Sequence, residues 1–138
     1  MALIQKRGLA RIKWFPKNAS TRFDLGDAVV FDVTGRIIPV VAASTTLMGY
    51  IKRNVLSTDA DFATTSLVPV QVASDTDEIE IDASTTVTAA MIGSPRDFSN
   101  ASTLNVGASA TTGIVRILRI GGTSTKAVCS VIRNGLSD

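Results

Sequence analysis

The sequence predicts an all-β chain, a compact β-sandwich or small β-barrel with an extended N-terminal arm. Three observations predict it. Val and Ile are abundant, and 16 Thr with 13 Ser make up about a fifth of the 138 residues, a composition that favours pleated structure over helix. Short apolar runs recur between turn residues, in the spacing of an antiparallel fold. Residues 26–41 carry apolar side chains on both faces: Val29, Phe31 and Val33 point one way and Val30 the other, and Ile37 and Ile38 are split in the same manner. Because neighbouring strand residues face opposite sides, such a hairpin has no side to leave in water. Its second face needs cover from another sheet, another segment or another protein.

The elements follow in order. Residues 1–25 read as an extended basic arm and 26–138 as the β-sandwich or barrel domain. The arm has no helical period, is broken at Pro16, and holds Trp14 and Phe15 side by side. Residues 28–33 and 36–41 are predicted as strands joined at Thr34-Gly35, with Pro39 marking a free edge. Residues 47–55 form a strand in which Gly49 permits close backbone approach, and 57–65 a polar loop. Residues 66–72 and 78–82 are expected to pair with each other, the second alternating acid and isoleucine. Residues 88–93 make one helical turn stopped by Gly93 and Pro95, and 94–102 a loop. Strands at 104–106, 113–120 and 126–132 finish the fold, the last two joined through Gly121-Gly122-Thr123-Ser124.

Composition narrows the chemistry. Histidine is absent, which removes the commonest general base and neutral metal ligand. No Gly-x-Ser-x-Gly elbow or phosphate-cradling loop is present. The acids Asp59/Asp61 and Asp75/Asp77/Glu78 lie in Ser/Thr-rich turns, where Asp satisfies backbone donors. The single Cys129 sits in an apolar run and reads as a small buried hydrophobe. No catalytic residue, metal or cofactor is expected, and the chain is read as no enzyme. No run approaches the roughly 20 apolar residues that span a bilayer, and no secretory signal is evident, so synthesis in a host cytoplasm without a membrane is expected.

Charge is unevenly placed. Lys6, Arg7, Arg11, Lys13, Lys17 and Arg22 all precede the first acid, Asp24, while residues 59–82 hold seven acids and no Lys or Arg. The net charge is only +2. A positive end and a negative middle suit oriented docking between proteins. Those six cations with Trp14 and Phe15, the residue types enriched at binding hot spots, are the expected partner-binding set. A domain lacking residues 1–23 is then expected to fold but to bind poorly.

The runs Gly26-Asp27-Ala28-Val29-Val30-Phe31-Asp32, Gly35-Arg36-Ile37, Met48-Gly49-Tyr50-Ile51, Val68-Pro69-Val70-Gln71-Val72 and Gly113-Ile114-Val115-Arg116-Ile117 together resemble the head-decoration, or capsid cement, proteins of tailed bacteriophages. The resemblance covers roughly residues 24–133 and leaves the arm outside. It implies a small β protein on the outer surface of an icosahedral virion, bound to the major capsid protein, a homo-oligomer and often a trimer, with no catalytic residues. Two alternatives stand beside it: a small-barrel nucleic-acid-binding protein using the basic arm, which the low net charge disfavours, and another virion subunit such as the major shell or tail tube.

Overall fold

Both faces of residues 26–41 need cover, and the fold supplies it by curling one sheet into a barrel and laying a second sheet against its flank. The computed structural model describes residues 3–7, 11–107, 113–133 and 135. Its strands are β1 (Leu3–Arg7), β2 (Ile12–Pro16), β3 (Ala28–Phe31), β4 (Ile37–Pro39), β5 (Gly49–Ile51), β6 (Leu67–Val72), β7 (Glu78–Ala83), β8 (Pro95–Arg96), β9 (Phe98–Asn100), β10 (Thr103–Leu104), β11 (Val115–Ile120) and β12 (Lys126–Val131). The chain is all-β.

The five-stranded sheet runs β2-β6-β5-β3-β4 with every neighbour antiparallel. Its outer strands meet again where Lys17 bridges Ile37, and the Asn18 N–H donates to the Ile37 carbonyl at 3.0 Å. The sheet is thus a nearly closed barrel. Phe23, Val29, Ile37, Met48, Ile51, Val55, Val68 and Val70 fill it, with Phe15, Phe31 and Phe62 packed against them. Alternation along β3 sends Val29 into this interior, while Ala28 and Val30 join a larger core against the second sheet. The cover for both faces of the hairpin comes from the chain itself. Val33, at the hairpin tip, and Val41, past the end of β4, are left in water.

The seven-stranded sheet runs β8-β11-β12-β7-β10-β9. One edge of β7 pairs with β12, and the other is shared by β1, antiparallel, and β10, parallel. Leu3, Ile79, Ile81, Phe98, Leu104, Val115, Ile117, Ala127, Cys129 and Val131 face the barrel in the larger core. Ile79 and Ile81 point inward as their alternation predicts; Glu78, Glu80 and Asp82 take the opposite face, where Glu80 is itself buried and accepts the Gly122 N–H at 2.9 Å.

Two expectations change. Residues 66–72 and 78–82 do not pair, because the turn between them crosses from barrel to second sheet: Asp77 Oδ2 accepts the Ser74 N–H at 2.9 Å and its own N–H donates back to the Ser74 carbonyl. The stretch 94–102 is not all loop, since β8 pairs with β11 and β9 with β10. The helical turn expected at 88–93 forms, as a short 3-10 helix, Ala89–Met91. Residues 3–7 and 12–16 of the arm are extended, as predicted, and both lie in the sheets.

The loop 57–65 is fastened over the barrel by charge. Arg53 donates to both Asp61 oxygens, at 2.7 and 2.9 Å, and the Ser66 hydroxyl adds a third bond at 3.0 Å. The guanidinium holds the Asp61 carboxyl down at about 2. Since an unfolded Asp titrates near 3.9, this group stabilises the fold fully above about pH 4 and loses its contribution as pH falls through about 2. Replacing Asp61 by Asn should therefore lower the urea midpoint at pH 6, with the difference vanishing near pH 2. A difference that is the same at both pH values contradicts this.

Candidate interaction face on the barrel

The positive N-terminal segment meets the negative middle of its own chain. Lys6 Nζ lies 3.8 Å from Glu80, and Arg11 donates to Ser74 Oγ at 3.0 Å with Asp77 Oδ2 3.8 Å away. On the outer face of the second sheet Arg119 pairs with Glu78 at 2.6 Å and Lys126 with Asp82 at 2.8 Å. The exposed pairs Arg119–Glu78 and Lys126–Asp82 contribute roughly 0–1 kcal/mol each, whereas Glu80 and Asp77 are buried acids that exposed cations cover. Gln5 ties β1 to the barrel, its N–H donating to Tyr50 Oη at 3.1 Å and its side-chain oxygen accepting from Gln71.

The expected partner-binding residues therefore separate. Lys6 and Arg11 are engaged by acids of the same chain, and Arg22 pairs with Asp24 at 3.1 Å. Arg7 stands opposite Glu78 in the β1–β7 register, and its side chain lies outside the described residues. Phe15 is half-buried, its ring edge-on to Phe31 at 5.4 Å. Lys17 is fully buried and cannot meet a partner: its ammonium donates to the Phe62 carbonyl at 3.1 Å and to the Thr64 carbonyl. Burial pushes its pKa below the usual lysine value, partly countered by Asp61. Of the eight, Lys13 and Trp14 remain together at the surface.

Trp14 does not stand alone. In the β2–β6 ladder Ile12 lies opposite Gln71, Trp14 opposite Pro69, and Pro16 opposite Leu67. Residues directly opposite share a face, so these side chains form one strip on the outside of the barrel. Gln71 is buried beneath the contact with β1, and beyond it the cover stops: Ile12 is 52% exposed, Trp14 61% and Leu67 55%. Lys13 flanks the strip on β2. Lys52, whose N–H donates to the Pro69 carbonyl and whose ammonium lies 5.6 Å from the Tyr50 ring centroid, borders it just past the end of β5.

Ile12, Pro69 and Leu67 were not singled out by sequence reasoning. The signal for Ile12 and Trp14 is a period of two through Lys13, cut short by Pro16. Leu67 joins them only through the pairing of β2 with β6, which local sequence does not encode. Elsewhere Cys129 is buried and its thiol is pushed up to about 12 by burial, so it packs as the small hydrophobe its sequence context predicts. Among the described residues no His, Cys, Asp and Glu cluster has the makings of a metal site, and no helix is long and apolar enough to cross a membrane.

No protein-family model matches the sequence, and no curated protein matches it.

Proposed function

We propose that this chain is a structural protein of a tailed-phage virion, decorating the outer surface of the capsid and holding neighbouring subunits of the major capsid protein together by contact alone. The observation that carries the reading is the exposed strip of Ile12, Trp14 and Leu67, three large apolar side chains set together on one face of the barrel. Buried apolar surface contributes about 25 cal/mol per Å², and a central Trp ringed by polar groups is a typical binding anchor. Lys13 and Lys52 at the rim favour an acidic surface. A molecule that bridges two subunits makes their separation cost both contacts, so modest affinities combine into firm retention.

Co-sedimentation with undecorated shells of the phage that carries this sequence tests the reading. The double variant Trp14→Ala, Leu67→Ala should be retained at least tenfold more weakly, with an unchanged unfolding midpoint because both side chains are exposed. Wild-type protein that fails to sediment with shells at tens of micromolar overturns the proposal. Trp14 beside Lys13 also suits base stacking on a single strand. That second reading predicts retention of oligonucleotides that falls steeply with salt, whereas apolar docking on a shell depends on it weakly.

A further inference from the structure

Two cations bracket the exposed strip from opposite sides. Beyond β6 stands Lys52, its ammonium over the Tyr50 ring. Beyond β2 the barrel closes where Lys17 and Ile37 lie side by side in a parallel bridge, both fully buried. Successive strand residues face opposite ways, so Pro16 and Arg36, one position earlier in each segment, turn outward together. Arg36 is exposed. The turn that carries it is held firmly: Asp32 Oδ1 accepts from the Thr34 N–H at 2.8 Å, the Thr34 hydroxyl at 2.6 Å and the Arg36 N–H at 3.1 Å.

The two brackets differ from the other cations of the surface. Lys6, Arg11, Arg22, Arg53, Arg119 and Lys126 each lie within ion-pair distance of a carboxylate. Arg36 and Lys52 have no such partner among the described residues. The Thr34 hydroxyl, the two backbone N–H groups and, least, the Arg36 charge hold the Asp32 carboxyl below its usual range, but the Arg36 guanidinium forms no ion pair with it.

We propose that the strip takes a short extended segment of its partner, apolar in the middle and with a carboxylate at each end, one on Arg36 and the other on Lys52. The inference deepens the decoration reading and rests on it for the identity of the docking face. Between the brackets lie Pro16, Trp14, Leu67 and Pro69, whose side chains carry no charge and, apart from the indole N–H, no donor or acceptor. A polar group laid over them would lose water and gain no partner, so the middle of the segment is apolar. At the ends, the Arg36 guanidinium offers a carboxylate two parallel donors and the Lys52 ammonium a compact charge. From β4 across β2 and β6 to β5 is three strand spacings, about 14 Å, the reach of about five extended residues. A single-stranded nucleic acid fits less well. It brings a phosphate with every nucleotide, whereas these four side chains include no cation and only one ring on which a base could stack.

Titration of the full chain with a capped five-residue peptide, three Leu between two Glu, tests this without shells. The readout is the emission of Trp14, the chain's only tryptophan. A blue shift that saturates below about 1 mM is expected, and no shift at the same concentration with a peptide that has Lys at both ends. Arg36→Gln and Lys52→Gln should each raise the dissociation constant at least threefold, and the double variant at least tenfold. The comparison of the two peptides on wild type stands even if a variant folds poorly. Equal shifts with both peptides, no shift with either, a folded double variant that binds as wild type does, or tighter binding of an equally charged oligothymidylate than of the Glu peptide overturns the proposal. Retention of wild type by shells beside any of these results leaves the decoration reading standing. Loss of shell retention with peptide binding intact removes that reading and leaves this one.

Discussion

Removing residues 1–23 should unfold the protein instead of releasing a folded domain that merely binds less well. The segment supplies β1 on the second sheet and β2, one stave of the barrel. It also supplies Leu3 and Phe23, both completely buried, in the larger core and the barrel interior respectively. Fully burying a Leu or Phe stabilises by about 1.5–3 kcal/mol, and a small domain holds only about 5–15 kcal/mol in total. The truncation also strips the hydrogen-bonding partners from β6 and reopens the β7 edge. Circular dichroism through a urea titration would decide it: no cooperative transition is expected. A transition at the wild-type midpoint would mean that the segment is an appendage.

Gly49→Ala should be nearly as damaging from a single methyl group. A Cβ at this position would lie 2.1 Å from the Gln71 carbonyl oxygen, 3.0 Å from its carbon and 3.1 Å from Val72 Cα. All three are backbone atoms of the paired strand, so no side chain can swing aside, and β5 and β6 must separate at the centre of the barrel. A loss of about 3 kcal/mol or more is expected. Gly35→Ala is the internal comparison, because that position has open space and only a φ of +81° to oppose it. It should cost about 1–2 kcal/mol. Equal urea midpoints for the two variants would contradict the close approach of β5 to β6.

Much of the architecture is written locally. Val29, Val30 and Phe31 announce a strand covered on both faces, and the acid–isoleucine alternation of residues 78–82 announces a strand with one face inward. Gly49 was legible as a point of close backbone approach. What covers the hairpin was not legible, since Phe23, Val55 and Phe62 reach the barrel interior from separate stretches. β1 and β2 were hidden for a related reason: Lys6, Arg7, Arg11 and Lys13 gave the segment the look of a solvated basic arm, while its partners, Glu80 and Asp77, lie about seventy residues away. The uneven charge was real, but it acts within the molecule. The same distance effect hid the strip, where Trp14 was visible and its neighbour Leu67 was not.

The central claim is that the surface this protein offers a partner is the β2–β6 strip. Amide hydrogen exchange on the full chain, with and without saturating shells, tests it most directly. New protection should fall on residues 11–17 and 65–70 and spare the outer face of the second sheet. Protection centred on β7, β11 and β12, with the Trp14 region exchanging as it does in the free protein, would contradict it.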